Sequence, residues 1–108
     1  PVLAPNENTS LEFIHTIGRL YYQQNNHKNL ALQKIKYFLN FVRHKYQLST
    51  TSLDENFKKR LAMKAQIPEK DIQKIIDLHN SIDNLPTISE HMLQVLHEHI
   101  QKFYNQAK

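Results

Sequence analysis

The 108-residue chain contains no cysteine and a single glycine, Gly18. Without cysteine there are no disulfides and no thiolate metal sites, and a reducing compartment such as the cytosol is compatible. A phosphate-cradling loop needs several glycines, so P-loop and dinucleotide fingerprints are excluded. No apolar run approaches the roughly 20 residues that span a bilayer. No secretory leader, internal repeat or low-complexity stretch is visible in the sequence, which opens on Pro1 rather than Met. A piece cut from a longer protein is therefore expected. Its length suits one domain, which buries roughly two-thirds of its unfolded surface without needing staples.

Charge is present but unevenly placed. The formal charge is +4 overall. Residues 28–64 hold nine Lys/Arg against Asp54 and Glu55, a net of +7, whereas residues 65–108 hold four basic and six acidic groups, a net of −2. Such segregation marks either a solvated face or a surface for phosphates of nucleic acid or lipid.

Residues 1–8, "PVLAPNEN", read as a linker, and residues 9–108 as one helical domain. "TSLE" supplies a capping box through Thr9 and Glu12, opening a first helix at about 10–24 with Ile14, Ile17, Gly18 and Tyr21 on one stripe. "NNHKN" breaks the pattern. The second helix, about 29–46, carries Ala31, Ile35, Phe38, Leu39, Val42 and Tyr46 on one face and Leu30, Tyr37 and Phe41 on another. Only the strip of Lys36, Asn40 and Arg43 is polar, so this helix is expected at the centre. A third, about 53–66, has Leu53, Phe57, Leu61 and Ala65 in register, with Ser or Thr of "QLSTTS" as its N-cap. Pro68 suits the first turn of a fourth, with Ile72, Ile75, Ile76 and His79 on one side. Ser89 or Thr87 caps a fifth, whose inner face is Met92, Leu93, Leu96, Ile100, Phe103 and Tyr104. No segment alternates with period two long enough to argue a strand. The expected fold is all-α, a compact bundle of about five helices.

Residues 61–76, "LAMKAQIPEKDIQKII", have the outline of a DNA-reading helix-turn-helix, with Ala62, Ile72 and Ile75 in suitable places. The turn holds Gln66 instead of glycine, and the helix that would enter the major groove opens with Glu69, Lys70 and Asp71. Two carboxylates aimed at phosphates oppose binding, so plain helix packing is the simpler reading. Seven histidines invite a metal, but none stands at i, i+4 from another. His97 and His99 point about 200° apart on a helix and cannot share an ion. No metal or cofactor is expected. His79 falls on an apolar face, as a core or boundary histidine does. The aromatic stripes of Tyr21–Tyr22, Tyr37, Phe38 and Phe41 could stack on bases, yet helical spacing makes them core. Asp77, Asp83, Glu90 and Glu98 fall on outer faces or loops, and no serine has a nucleophile-elbow context. An active site within the chain is not expected, nor a small-molecule substrate.

The run "NTSLEFIHTIGRLYYQQNNHKNLALQKIKYFLNFVRHKY", residues 8–46, followed by "LDENFKKRLAMKAQIPEKDIQKII", residues 53–76, resembles the C-terminal cytoplasmic region of a bacterial membrane-protein family of unknown function. The features that carry it are the TSLEF-type start, the G-RLYY helix end, "HKNLA" before a long basic helix, the "RLA-K" core and the Pro-Glu helix opening. Members of that family have an N-terminal glutamine-amidotransferase-like domain, a transmembrane helix and a helical tail. Their genes often sit beside a MoxR-class AAA ATPase and von Willebrand-type proteins. The resemblance thus implies a tail on the cytoplasmic side of the inner membrane that serves assembly or maturation of a complex. It carries over no catalytic residue.

These readings converge on a non-enzymatic protein-interaction domain. Its expected surface is Lys36, Asn40 and Arg43, continued by Lys58, Lys59 and Arg60. Components of an ATPase complex are the expected protein partners, and anionic headgroups would add about 1 kcal/mol for each nearby Lys or Arg. The alternative is nucleic-acid binding through residues 61–76.

Overall fold

Four blocks of apolar residues at helical spacing become four helices in the computed structural model, which describes Glu12 and residues 26–108. They are α1 (His27–Tyr46), α2 (Glu55–Ala65), α3 (Glu69–Asn84) and α4 (Glu90–Gln106). No strand occurs among the described residues, as the periodicity implies. The predicted first helix and the linker before it lie outside the described residues, apart from Glu12, which is helical and exposed. None of the described helices is long and apolar enough to cross a membrane.

The helix starts follow from the sequence with three shifts. Helix α1 opens at His27, inside the NNHKN stretch read as a break before residue 29. Asp54, not a Ser or Thr of the preceding loop, caps α2: its carboxylate accepts from the Phe57 amide at 2.9 Å. An aspartate adds charge complementarity to the cap at the positive helix end. Pro68 stands one position earlier than the first turn, at the N-cap of α3, where its carbonyl accepts from the Asp71 amide at 3.0 Å. Ser89 caps α4, its hydroxyl accepting from the Met92 amide at 3.1 Å.

Two helix ends use a left-handed residue without glycine. Gln47 follows α1 with φ 56° and Gln66 follows α2 with φ 59°. After Gln66, the Ile67 amide reaches back to the Ala62 carbonyl at 3.1 Å, the 6→1 bond of a Schellman turn. A buried aliphatic comes next in each case, Leu48 and Ile67. The hydrophobic contact after the turn offsets the roughly 1–2 kcal/mol that a side chain costs in this region. Arg43, His44 and Lys45 crowd the last turn of α1, where positive charge suits the helix dipole. The last turn of α3 has no basic residue of its own, and Lys28 of α1 supplies one. Its Nζ donates to the carbonyls of Asp83 and Leu85, at 3.3 and 2.6 Å.

The core is one cluster, with Leu30, Val42, Leu61, Ile72, Ile82, Leu96 and Ile100 its most completely enclosed large side chains. Helix α1 packs against all three other helices, as its apolar breadth predicts, but so does α3. The hub is therefore a pair. The second apolar face read on α1 divides: Leu30 is fully buried, Phe41 half-buried, and Tyr37 60% exposed. Phe38 and Phe41 meet Phe103 and Tyr104 of α4 edge-on, with ring centroids 5.0 Å apart for both Phe38–Phe103 and Phe41–Tyr104. The aromatic stripe is thus largely absorbed in the α1–α4 seam. Just beyond this seam the Lys108 amide donates to the Ala65 carbonyl at 2.9 Å, tying the chain end to the close of α2.

Candidate interaction surface

Along the solvent side of α1, positions 32, 35, 36, 39, 40 and 43 recur every three or four residues and so share one stripe. The structure turns that stripe into one wall of an open groove of about 370 Å³. Ile35 is buried and Leu32 and Leu39 half-buried, forming an apolar floor. Lys36 and Arg43 are exposed at its rim, with Asn40 between them. Thr50, after α1, and His79, from α3, close the other side. The His79 Nδ1 is buried there without a hydrogen-bond partner. Leu32 also borders a second hollow of about 240 Å³, lined by Asn26, Lys28, Asn29, Pro86 and Thr87. The two adjoin at Leu32 and make a trough of two hollows, whose lining residues run beside α1 from residue 26 to residue 43, roughly 26 Å at 1.5 Å per residue. None of the described residues lining either hollow is acidic.

Arg43 is held by two side-chain acceptors at the rim. One terminal nitrogen donates to Thr50 Oγ1 at 3.3 Å and the other to Asn40 Oδ1. Both acceptors are neutral. They hold the guanidinium plane in place without cancelling its charge, the condition under which an incoming anion gains most from it.

The other half of the sequence-predicted surface behaves differently. Lys58 is buried at 8% exposure, and its ammonium is taken by Glu55 of its own helix and by Gln73 of α3. It bridges α2 and α3. The hydrocarbon stem packs while the charge finds local acceptors, which a position-by-position count of lysines does not reveal. Lys59 and Arg60 are exposed but do not line the trough. Thus Lys36, Asn40 and Arg43 come together, and Lys58, Lys59 and Arg60 are not among the groove-lining residues. Thr50 and His79 belong to the groove and escape a reading confined to α1, because they arrive from other elements.

A second polar group is buried in the interior. Lys34, His97 and Gln101 are each only 7–8% exposed. Burial lowers the Lys34 ammonium from 10.5 to about 8. Burial, helped by the Lys34 charge, lowers the His97 imidazole from 6.5 to about 4. The His97 Nδ1 and Gln101 Oε1 have no hydrogen-bond partner, while Gln101 Nε2 donates to Asn105 Oδ1 at 3.2 Å. Tyr104, half-buried in the α1–α4 seam, has its phenol pushed up to about 12 by burial. No group of three or more His, Asp or Glu that could hold a metal ion occurs among the described residues.

The turn at 66–67 places α2 and α3 as a helix pair, and α3 presents Glu69 and Lys70 exposed at its start. Asp71 is half-buried and 3.8 Å from the Lys102 ammonium of α4.

Among proteins of known character, no curated protein and no solved structure matches the chain. The model of one family, described as the DUF4350 C-terminal helical domain, matches residues 14–107. The chain belongs to that family, a helical domain of unknown function.

Proposed function

We propose that the chain is a non-enzymatic protein-interaction domain that works at the cytoplasmic face of the membrane, where it serves a MoxR-type ATPase-linked assembly system. The trough along α1 is its docking surface. The observation that carries this reading is the fixed, un-neutralised guanidinium of Arg43 beside Lys36 above an apolar floor. Specific recognition combines an apolar centre with a few well-placed polar groups in this way. The membrane setting rests on the family resemblance and on the +7 balance of residues 28–64. Exposed Lys36, Lys45, Lys59, Arg60 and Lys64 suit a surface facing anionic headgroups. The test is a pull-down with the intact membrane protein, wild type against Arg43→Glu. Recovery of ATPase-complex components by the wild type and their loss in the variant supports the reading. Equal recovery by both excludes the trough.

The second reading, nucleic-acid binding through α2 and α3, has the tight left-handed turn at Gln66 in its favour. The acidic start of α3 stands against it. A gel shift at low salt that weakens steeply as salt rises would favour it, and the absence of any shift removes it.

A further inference from the structure

Taking the trough as the docking surface, we infer that its occupant is an acidic amphipathic α-helix of a partner protein, laid alongside α1. Three features select this chemistry. The first is charge. Lys28, Lys36 and Arg43 stand along the trough, and among the described residues no carboxylate lines it. Lys28 is already engaged with the carbonyls at the end of α3, so Lys36 and Arg43 are the cations that face a ligand. An Arg fork held by two neutral acceptors suits a carboxylate, which can accept two parallel hydrogen bonds from the donors that remain.

The second feature is the apolar floor. Leu32 and Leu39 lie seven residues apart on α1, about 10.5 Å along its axis. That spacing matches side chains at i and i+7 of a facing helix, with glutamates or aspartates between them reaching the rim. The third is shape. A trough roughly 26 Å long takes about 17 residues of helix. An added strand would need a sheet edge to pair with, and the described residues contain no strand. A bilayer surface does not enter a concave groove, so lipid could engage the rim cations but leave the floor uncovered.

The experiment measures fluorescence anisotropy of labelled 18-residue peptides added to the full 108-residue chain. One probe has leucines at helical i, i+4, i+7 spacing with glutamates between them, a second has lysines in place of the glutamates, and a third has glutamines. The expected result is binding of the acidic peptide at least about tenfold tighter than the other two. Arg43→Glu should weaken the acidic peptide by about tenfold or more and improve the lysine peptide, while Lys59→Glu should change neither. Arg43 is exposed, so the variant keeps its core; its helical circular dichroism should match the wild type. Equal binding of all three peptides that is lost in Leu39→Asp overturns the acidic helix but keeps the trough as a docking surface. Failure of every peptide to bind overturns both. Binding to phosphatidylserine vesicles that is lost in Arg43→Glu, with no peptide binding, assigns the rim to lipid and overturns the inference.

Discussion

Gln66 shows what a single residue does here. It holds a left-handed conformation in which a Cβ is disfavoured, and it does so to turn the chain from α2 into α3 within three residues. Replacing it with glycine removes that penalty at some entropic cost in the unfolded chain. Gln66→Gly should therefore raise the stability of the domain by about 0.5–1 kcal/mol, read by urea unfolding. The turn itself is legible between the two helical registers of residues 61–76, but its left-handed residue is not, because the usual marker is a glycine and the only one stands at position 18. The signal that was present is the buried aliphatic immediately after each glutamine. His97 illustrates the converse problem. Its neighbours Leu93, Leu96 and Ile100 are legible as core, and nothing in their spacing distinguishes a histidine among them. Because the unfolded imidazole takes up its proton near 6.5 and the folded one near 4, stability is fully present above 6.5 and falls as pH drops toward 4. His97→Leu should flatten the fall of the urea midpoint over that range. Lys34→Met, by removing a neighbouring positive charge, should raise the His97 pKa, which histidine NMR titration reads directly.

At the scale of the element, the apolar registers of α2, α3 and α4 were legible, since Phe57, Leu61, Ala65, Ile72, Ile75, Leu93 and Ile100 are all buried. Ile82 was not in the predicted stripe and is fully buried, because α3 runs one turn further along the core than its first three isoleucines suggest. The caps were legible in kind, and Asp54 prevailed over its Ser and Thr neighbours at α2. Asp54→Ala should cost about 1 kcal/mol through loss of the bond from the Phe57 amide. Leu61→Ala, at a fully enclosed position between α2 and the hub, should cost about 2–5 kcal/mol. Thermal unfolding of the two variants orders them: a larger loss for Asp54→Ala than for Leu61→Ala would contradict the packing described.

At the scale of the molecule, the sequence marks α1 as the helix that must both build the core and carry the polar strip. Its partnership with α3 could not be read, since nothing in one helix's periodicity says which other helix faces it. The same limit divided the candidate surface. Lys36, Asn40 and Arg43 lie on one helix stripe and stay together, whereas Lys58, Lys59 and Arg60 were joined to them by charge alone. Lys58 turned inward because Gln73 and Glu55 were there to receive it. What remains is the basic strip of α1 with the trough beside it. The most direct test of that trough is an amide chemical-shift map of the isotope-labelled chain on addition of the acidic leucine-rich peptide. The account predicts shifts concentrated at residues 28–43, Thr50, His79 and residues 86–87. Shifts concentrated at residues 59–70, or spread evenly over the exposed lysines, would contradict it.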